Sequence, residues 1–173
     1  MLLLERRLEI QQFAKTVHAA LGLQEFPYPI HKAIDLLHGT IEWSQQPIRD
    51  TCIVNTGESF TIHLSKIAVD SYKRWYLGHT LGHVFLHMGY LTDLEFWSLI
   101  KEYKDTAFNK EHTQVHEAEA YEFSRHLLLP AKELRRVCKK NRDDAEYNMT
   151  EVSKYFGVPV SAVKGAARPL GLY

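Results

Sequence analysis

The stretch His79-Thr80-Leu81-Gly82-His83 decides how this chain is interpreted, because it places two histidines four residues apart in an apolar segment. On a helix, side chains at this spacing rise from adjacent turns of one face, so two imidazoles can bind a single metal ion. The segment from Asp70 to about Met88 carries apolar residues nearly all round, which predicts a buried central helix. The pattern therefore indicates a metal site inside the fold.

The spacing alone is weak evidence, because the chain has 10 histidines and other pairs share it. His83 and His87 form one such pair, and His112 and His116 form another. Gly82 favours the first pair, since glycine inside a helix costs roughly 1 kcal/mol relative to alanine and implies a close approach to the backbone. We expect His87 to pack or hydrogen-bond near the site. His112 and His116 stay open as a rival site, at a helix start where exposure is expected.

A catalytic zinc takes three protein ligands, so a third donor is needed from elsewhere in the chain. Glu117 is the candidate, since it lies on the next strong helix, predicted from Glu111 to Leu129. Ala120, one turn further on, is small enough for this helix to cross the histidine helix closely. An ordinary solvated carboxylate near a helix N-terminus is the alternative interpretation of Glu117. Neighbouring Glu119 and Glu122 are expected to point elsewhere.

Thr80 occupies the position where the metallopeptidase motif H-E-x-x-H has a glutamate that accepts a proton from metal-bound water. A threonine hydroxyl is not a base near neutral pH. Metal binding should survive, because none of the three proposed ligands is altered. Catalysis is therefore expected to be impaired.

The chain resembles the ImmA/IrrE-type metallopeptidases, in which a helix with H-E-L-G-H and a later helix with E-x-x-A-x-x-F ending in L-L-x-P form the zinc site. The matching blocks here are residues 79–87, 117–123 and 127–130. The resemblance covers roughly residues 25 to 172, and it departs from the family pattern at Thr80. It implies that His79, His83 and Glu117 bind Zn²⁺. It also implies a protein partner, since such proteins are associated with cleaving or sequestering transcriptional repressors of phages and mobile elements.

The resemblance implies a zincin-like helical domain, and the rest of the sequence predicts an α+β fold with a small antiparallel sheet and a C-terminal helix-turn-helix-like tail. We predict a metallopeptidase-like domain over residues 1–130 and a helical tail over residues 131–173. Further helices are expected from Leu4 to Leu21, Ile30 to Leu37 and Lys132 to Lys140, and strands at 41–44, 51–55 and 60–64. The last two strands flank turn residues and predict an antiparallel hairpin. Residues 89–109 indicate only a packed loop or a short helix.

The amino-acid composition of the chain argues against several classes of function. With 21 basic and 21 acidic residues the formal charge is zero, so no global field attracts nucleic acid or anionic membrane. No apolar run reaches the length of a membrane span, and two distant cysteines suggest neither disulfides nor a thiolate metal site. These features favour a cytoplasmic location for the protein.

Three functions stay open. The first is a zinc metallo-endopeptidase whose catalysis is impaired at Thr80, acting on a helix-turn-helix repressor. The second is a non-catalytic zinc-binding regulator of the same kind of partner. The third is a DNA-binding module formed by the tail, but its second helix, Val160 to Ala167, has Lys164 as its one long polar side chain and would read bases poorly. We therefore favour packing or substrate docking for the tail.

Overall fold

The computed structural model describes residues 2–44, 51–65, 69–105, 113–143 and 146–173. Eight α-helices lie in these ranges, together with a short 3₁₀ helix at Arg168–Leu170: α1 Leu4–Leu21, α2 Ile30–Leu36, α3 Asp70–Leu86, α4 Leu94–Leu99, α5 Thr113–Leu128, α6 Ala131–Lys140, α7 Met149–Phe156 and α8 Val160–Ala167. The strands are β1 Thr40–Ser44, β2 Thr51–Asn55, β3 Phe60–Ser65, β4 Glu102–Asp105, β5 Arg142–Asp143 and β6 Glu146–Tyr147. The α+β class predicted from the sequence is confirmed.

The main sheet has the strand order β1-β3-β2-β4. The hairpin of β2 and β3 is antiparallel, as predicted, and Asn55 pairs with Phe60 beside its turn. β1 joins β3 in parallel, so the sheet is mixed rather than purely antiparallel. The correction has a topological cause: the chain leaves β1, crosses to β2 and returns through the hairpin, so β1 and β3 run in the same direction.

Helix α3 is the centre of the molecule and packs mainly against α5, which in turn packs against α1. Its residues from Leu77 to Phe85 are all buried, as a helix that is apolar nearly all round requires. Phe123 and Leu127 of α5 belong to the same core and have no exposed surface. The two helices predicted to carry the metal ligands are therefore neighbours in the core.

Residues 89–105 contain one strand, β4, that the sequence did not predict. Asp93 caps α4 by accepting a hydrogen bond from the Phe96 amide, which starts the short helix that was one of the two options. β4 then adds to β2 in antiparallel register. Glu102–Asp105 was missed because its charged and aromatic residues show no apolar alternation that would mark a strand.

The tail forms the predicted pair of helices, α7 and α8, with Gly157 in the left-handed conformation between them. In α8 the side chains of Val163, Ala166 and Ala167 are buried. The division into residues 1–130 and 131–173 stays a prediction. Arg74 of α3 links the two parts, because its Nη1 donates to the carbonyl oxygen of Gly157 at 2.8 Å.

Every helix in the described ranges is too short or too polar to span a lipid bilayer.

Candidate metal centre

Two histidine side chains of α3 form the base of the site. His79 and His83 lie one turn apart on one face of the helix, and their Nε2 atoms are 3.0 Å apart. Both are deeply buried, with exposed fractions of 2% and 0%. Two imidazoles at such depth need polar partners, because an unsatisfied buried ring nitrogen costs free energy. The i,i+4 spacing of the sequence therefore gives the convergence that it predicted.

The third group, Glu117, is brought to the histidines by the close crossing of α3 and α5. A Cβ atom added to Gly82 would lie 2.8 Å from the Cα atom of Ala120. Only a glycine opposite a small residue allows two helix backbones to come this close. The close helix crossing predicted from Gly82 and Ala120 is thus confirmed. The same crossing places the preceding turn of α5, which carries Glu117, next to the two histidines.

The Glu117 carboxylate spans both imidazoles. Its Oε2 atom is 3.1 Å from Nε2 of His79, and its Oε1 atom is 3.2 Å from Nε2 of His83. Burial would raise the pKa of this carboxyl, but hydrogen bonds from the two histidines outweigh burial and lower the pKa well below its usual range. Glu117 is therefore an anion at neutral pH. It is not the solvated carboxylate of the alternative interpretation, because only 30% of its side chain is exposed.

The three groups have the geometry of a metal-binding set. Their ligand atoms all lie within 4.8 Å of one another, so His79, His83 and Glu117 could hold one metal ion. Ligand atoms about 2.0 Å from a tetrahedral metal ion are about 3.3 Å apart, which is close to the observed 3.0 to 3.2 Å. Two imidazoles and one carboxylate are also donors that a borderline-soft divalent ion accepts.

Thr80 lies between the two histidines in the chain and is buried, with 1% of its surface exposed. Its hydroxyl oxygen has no hydrogen-bond partner among the described residues. A hydroxyl can neither take up a proton near neutral pH nor reach as far as a glutamate carboxylate. The nearby carboxylate of Glu119 is held by Arg6 and His87, so it does not replace the missing base.

His87 lies beside the site and makes hydrogen bonds, as predicted. Its Nδ1 is 2.9 Å from Nδ1 of His83, and its Nε2 is 3.1 Å from Oε2 of Glu119. Burial, and after it the neighbouring His83 and His116, lower the pKa of His87 to about 3, although Glu119 opposes the shift. His87 is therefore neutral at neutral pH.

The rival pair lies only partly within the described residues, because His112 falls outside them. His116 is half-buried, and its ring stacks on His87 with ring centroids 4.0 Å apart. The expected exposure of His116 therefore holds only in part, because the crossing of α3 and α5 brings this side of α5 against the histidine helix.

Two tyrosines complete the surroundings and were not predicted. Tyr103 of β4 lies over His83 with ring centroids 4.6 Å apart, and its hydroxyl is 3.2 Å from Nδ1 of His116. Tyr121 of α5 contacts His79 with ring centroids 4.3 Å apart. No local signal marks Tyr103, because its strand is itself unrecognised. Tyr121 follows Ala120 directly, so the helix crossing could have suggested it.

Fold and site together define a class of protein: an α+β fold in which two buried histidines and a half-buried glutamate converge from two crossing helices. The model of peptidase family M78, described as the IrrE N-terminal-like domain, matches residues 55–167, well over half of the chain. The chain belongs to this family of metal-dependent peptidases. A search of curated protein sequences finds no significant match.

Proposed function

We propose that the chain is a zinc-binding, metallopeptidase-like protein that acts on a polypeptide partner, with hydrolysis impaired at Thr80. The observation that carries this proposal is the convergence of His79, His83 and Glu117 within hydrogen-bonding distance of one another. Two imidazoles and one carboxylate are a ligand set of catalytic zinc sites, in which the fourth position stays open. When bound, zinc supplies Lewis acidity toward a peptide carbonyl and toward water.

The surroundings of the site favour an extended polypeptide as the molecule that is bound. β4 pairs with β2 on one side and with no strand of the described chain on the other. This edge, which is unpaired among the described strands, can add an extended segment through main-chain hydrogen bonds, which give affinity largely independent of side-chain identity. Tyr103 connects this edge to the metal group, because its ring lies on His83.

An aromatic cleft of about 280 Å³ has Tyr121 in its lining. Tyr121 joins the cleft to the metal group, since its ring contacts both His79 and Trp75. Helix α8 closes the opposite wall with small residues, among them Ala162 and Gly165. This arrangement supports a packing and docking role for the tail, with an apolar side chain of the partner in the cleft.

Thr80 determines what happens after binding. Removal of a general base lowers the rate of proton-coupled steps by about 10² to 10⁴-fold. The ligand set is intact, so binding of metal and partner should persist. A regulator that binds its partner without cleaving it is therefore the second candidate function. The observation that favours it is that a buried hydroxyl, with no hydrogen-bond partner among the described residues, occupies position 80.

We further propose that the partner is a helix-turn-helix transcriptional repressor of a phage or mobile element. The support is the likeness to ImmA/IrrE-type proteins. A DNA-binding function of the tail has less support. Val163, Ala166 and Ala167 are buried, and Lys164 lies over the Tyr173 ring at 4.7 Å, so α8 offers little to a DNA groove.

The proposal is tested by restoring the missing carboxylate. Zinc-loaded wild type and Thr80→Glu are incubated with a proteome-derived peptide library, and new termini are identified by mass spectrometry. We expect Thr80→Glu to cleave at least about 10²-fold faster than wild type. The double variant His79→Ala/Thr80→Glu serves as the control and should not cleave. Equal cleavage by wild type and Thr80→Glu would show that the base lies elsewhere.

A gel-shift titration with random duplex DNA tests the third candidate function, DNA binding by the tail. Weak or absent binding at low salt is expected. Tight binding that falls steeply with salt would favour the DNA-binding module instead.

A further inference from the structure

A continuous line of hydrogen bonds runs from the first helix to the metal group. The guanidinium of Arg6 on α1 donates to both carboxylate oxygens of Glu119, from Nε at 2.7 Å and from Nη2 at 3.1 Å. Glu119 Oε2 is 3.1 Å from Nε2 of His87, and Nδ1 of His87 is 2.9 Å from Nδ1 of His83. All the side chains of this line except that of Arg6 are buried.

The chemistry of the donors leaves one arrangement of protons along this line when a metal is bound. A neutral imidazole that binds a metal through Nε2 carries its proton on Nδ1, so His83 must donate to His87. His87 then accepts at Nδ1 and carries its own proton on Nε2. That proton is donated to Glu119, which as a carboxylate can only accept, and Arg6 can only donate to Glu119. Each hydrogen-bond donor in this series therefore faces an acceptor.

We propose that Glu119 and His87 are positioning residues that fix the tautomer and the ring orientation of His83 for metal binding, with Arg6 anchoring the line from α1. The inference rests on the metal site proposed above. Neither residue is a ligand, as expected for Glu119 from the sequence. Partners that hydrogen-bond to a metal-binding histidine commonly raise metal affinity by about 10- to 100-fold.

A second glutamate on the same helix provides a matched control. Glu122 is as buried as Glu119, with 7% exposed in each case. It too pairs with an arginine of α1, since Nη2 of Arg7 is 3.6 Å from its Oε1. Its histidine partner is His126, which lies 3.1 Å away and is not a contact of the metal group. Loss of either carboxylate should weaken the packing of α1 on α5, but only Glu119 connects to His83.

The test compares the zinc affinity of Glu119→Ala and Glu122→Ala by competition with a chromophoric chelator. Alanine removes the acceptor, whereas glutamine would keep an oxygen that accepts from His87. Because Glu119 acts through His87, we expect Glu119→Ala to weaken zinc binding by about 10-fold and Glu122→Ala to leave it unchanged. Cobalt(II) substitution gives a second readout, because a reoriented imidazole changes the visible d–d spectrum, and only Glu119→Ala should change that spectrum. Equal zinc affinities of the two variants, whether both reduced or both as in wild type, would overturn the inference.

A pair of variants at residue 87 tests the line even if Glu119→Ala fails to fold. The amide oxygen of an asparagine side chain can replace the imidazole Nδ1 as the acceptor, so His87→Asn should bind zinc more tightly than His87→Ala. Identical affinities of these two variants would contradict the proposed hydrogen bond from His83. The zinc affinity of wild type distinguishes failure of the proposed function from failure of the positioning role. If wild type binds no zinc, the proposed function is wrong. If wild type binds zinc and the variants bind it equally well, only the positioning role is wrong.

Discussion

Gly82 of α3 and Ala120 of α5 meet where the two helices cross, and a Cβ atom on residue 82 would lie 2.8 Å from the Ala120 Cα and 3.1 Å from its carbonyl oxygen. Backbone atoms cannot move aside as the end of a flexible side chain can. The contact therefore sets the distance between the helix that carries the two histidines and the helix that carries Glu117.

Gly82→Ala should push these helices apart. Overpacking at a buried site typically costs about 1 to 3 kcal/mol, which outweighs the gain of roughly 1 kcal/mol from the better helix propensity of alanine. We expect a lower free energy of unfolding in denaturant titration and weaker zinc binding in chelator competition.

Gly165→Ala is the control for this substitution, because Gly165 is also inside a helix. The nearest atom to an added Cβ is Nη2 of Arg125 at 3.9 Å, an ordinary contact. Stability should rise by about 0.5 to 1 kcal/mol. If both glycine variants changed stability equally, the two helices would not be in close backbone contact at Gly82.

Metal content is the most direct prediction. Reconstituted wild type should hold about one zinc ion per chain, and His79→Ala, His83→Ala and Glu117→Ala should each lose it, because a catalytic-type site has three protein ligands. Elemental analysis after dialysis measures the ratio. His63→Ala is the control, since His63 pairs with Glu42 on the sheet at 3.3 Å and lies outside the metal group. Loss of zinc in that variant as well would point to nonspecific binding.

Thr80→Val should stabilise the fold. Valine has nearly the shape of threonine and removes a buried hydroxyl that has no hydrogen-bond partner among the described residues. A gain of about 1 kcal/mol in the free energy of unfolding of the metal-free protein is expected. Zinc affinity should be unchanged. A marked loss of zinc or of any residual cleavage would mean that the hydroxyl takes part in the site.

Acid sensitivity should have a contribution from Glu133 of α6. Hydrogen bonds from Arg136 lower its pKa to about 2, and Tyr155 of α7 assists at 2.5 Å. A carboxyl whose pKa falls on folding adds stability above its unfolded pKa, near 4.5, and that stability is lost as pH drops toward 2. Glu133→Gln should therefore flatten the fall of stability between about pH 4.5 and 2 in denaturant titrations. An unchanged slope would show that the pair is broken in solution.

Much of the fold was predictable because local patterns determine it. The histidine helix and the hairpin follow from apolar periodicity and turn residues, which report on burial within a few residues of chain. The His79, His83 and Glu117 group was also predicted, since two of its members share a helix and Ala120 marks the face of the third. These inferences need no knowledge of how distant segments meet.

Tyr103, His116 and Glu119 show what the sequence did not reveal. Tyr103 reaches His83 only because β4 joins β2, a strand pairing that no local pattern specifies. Glu119 was expected to point away from the metal group, and it does, yet it contacts His87 and through it His83. Its role depends on the position of Arg6, which lies more than a hundred residues earlier in the chain.

The sequence by itself determined which residues could bind a metal and that Thr80 occupies the position of the glutamate in H-E-x-x-H, because residue chemistry and helical spacing are properties of the local chain. The tertiary structure decided which groups surround those ligands, the parallel pairing of β1 and the contacts of α1 with the site. These depend on long-range packing, where the close approach of Gly82 and Ala120 brings distant side chains within hydrogen-bonding distance.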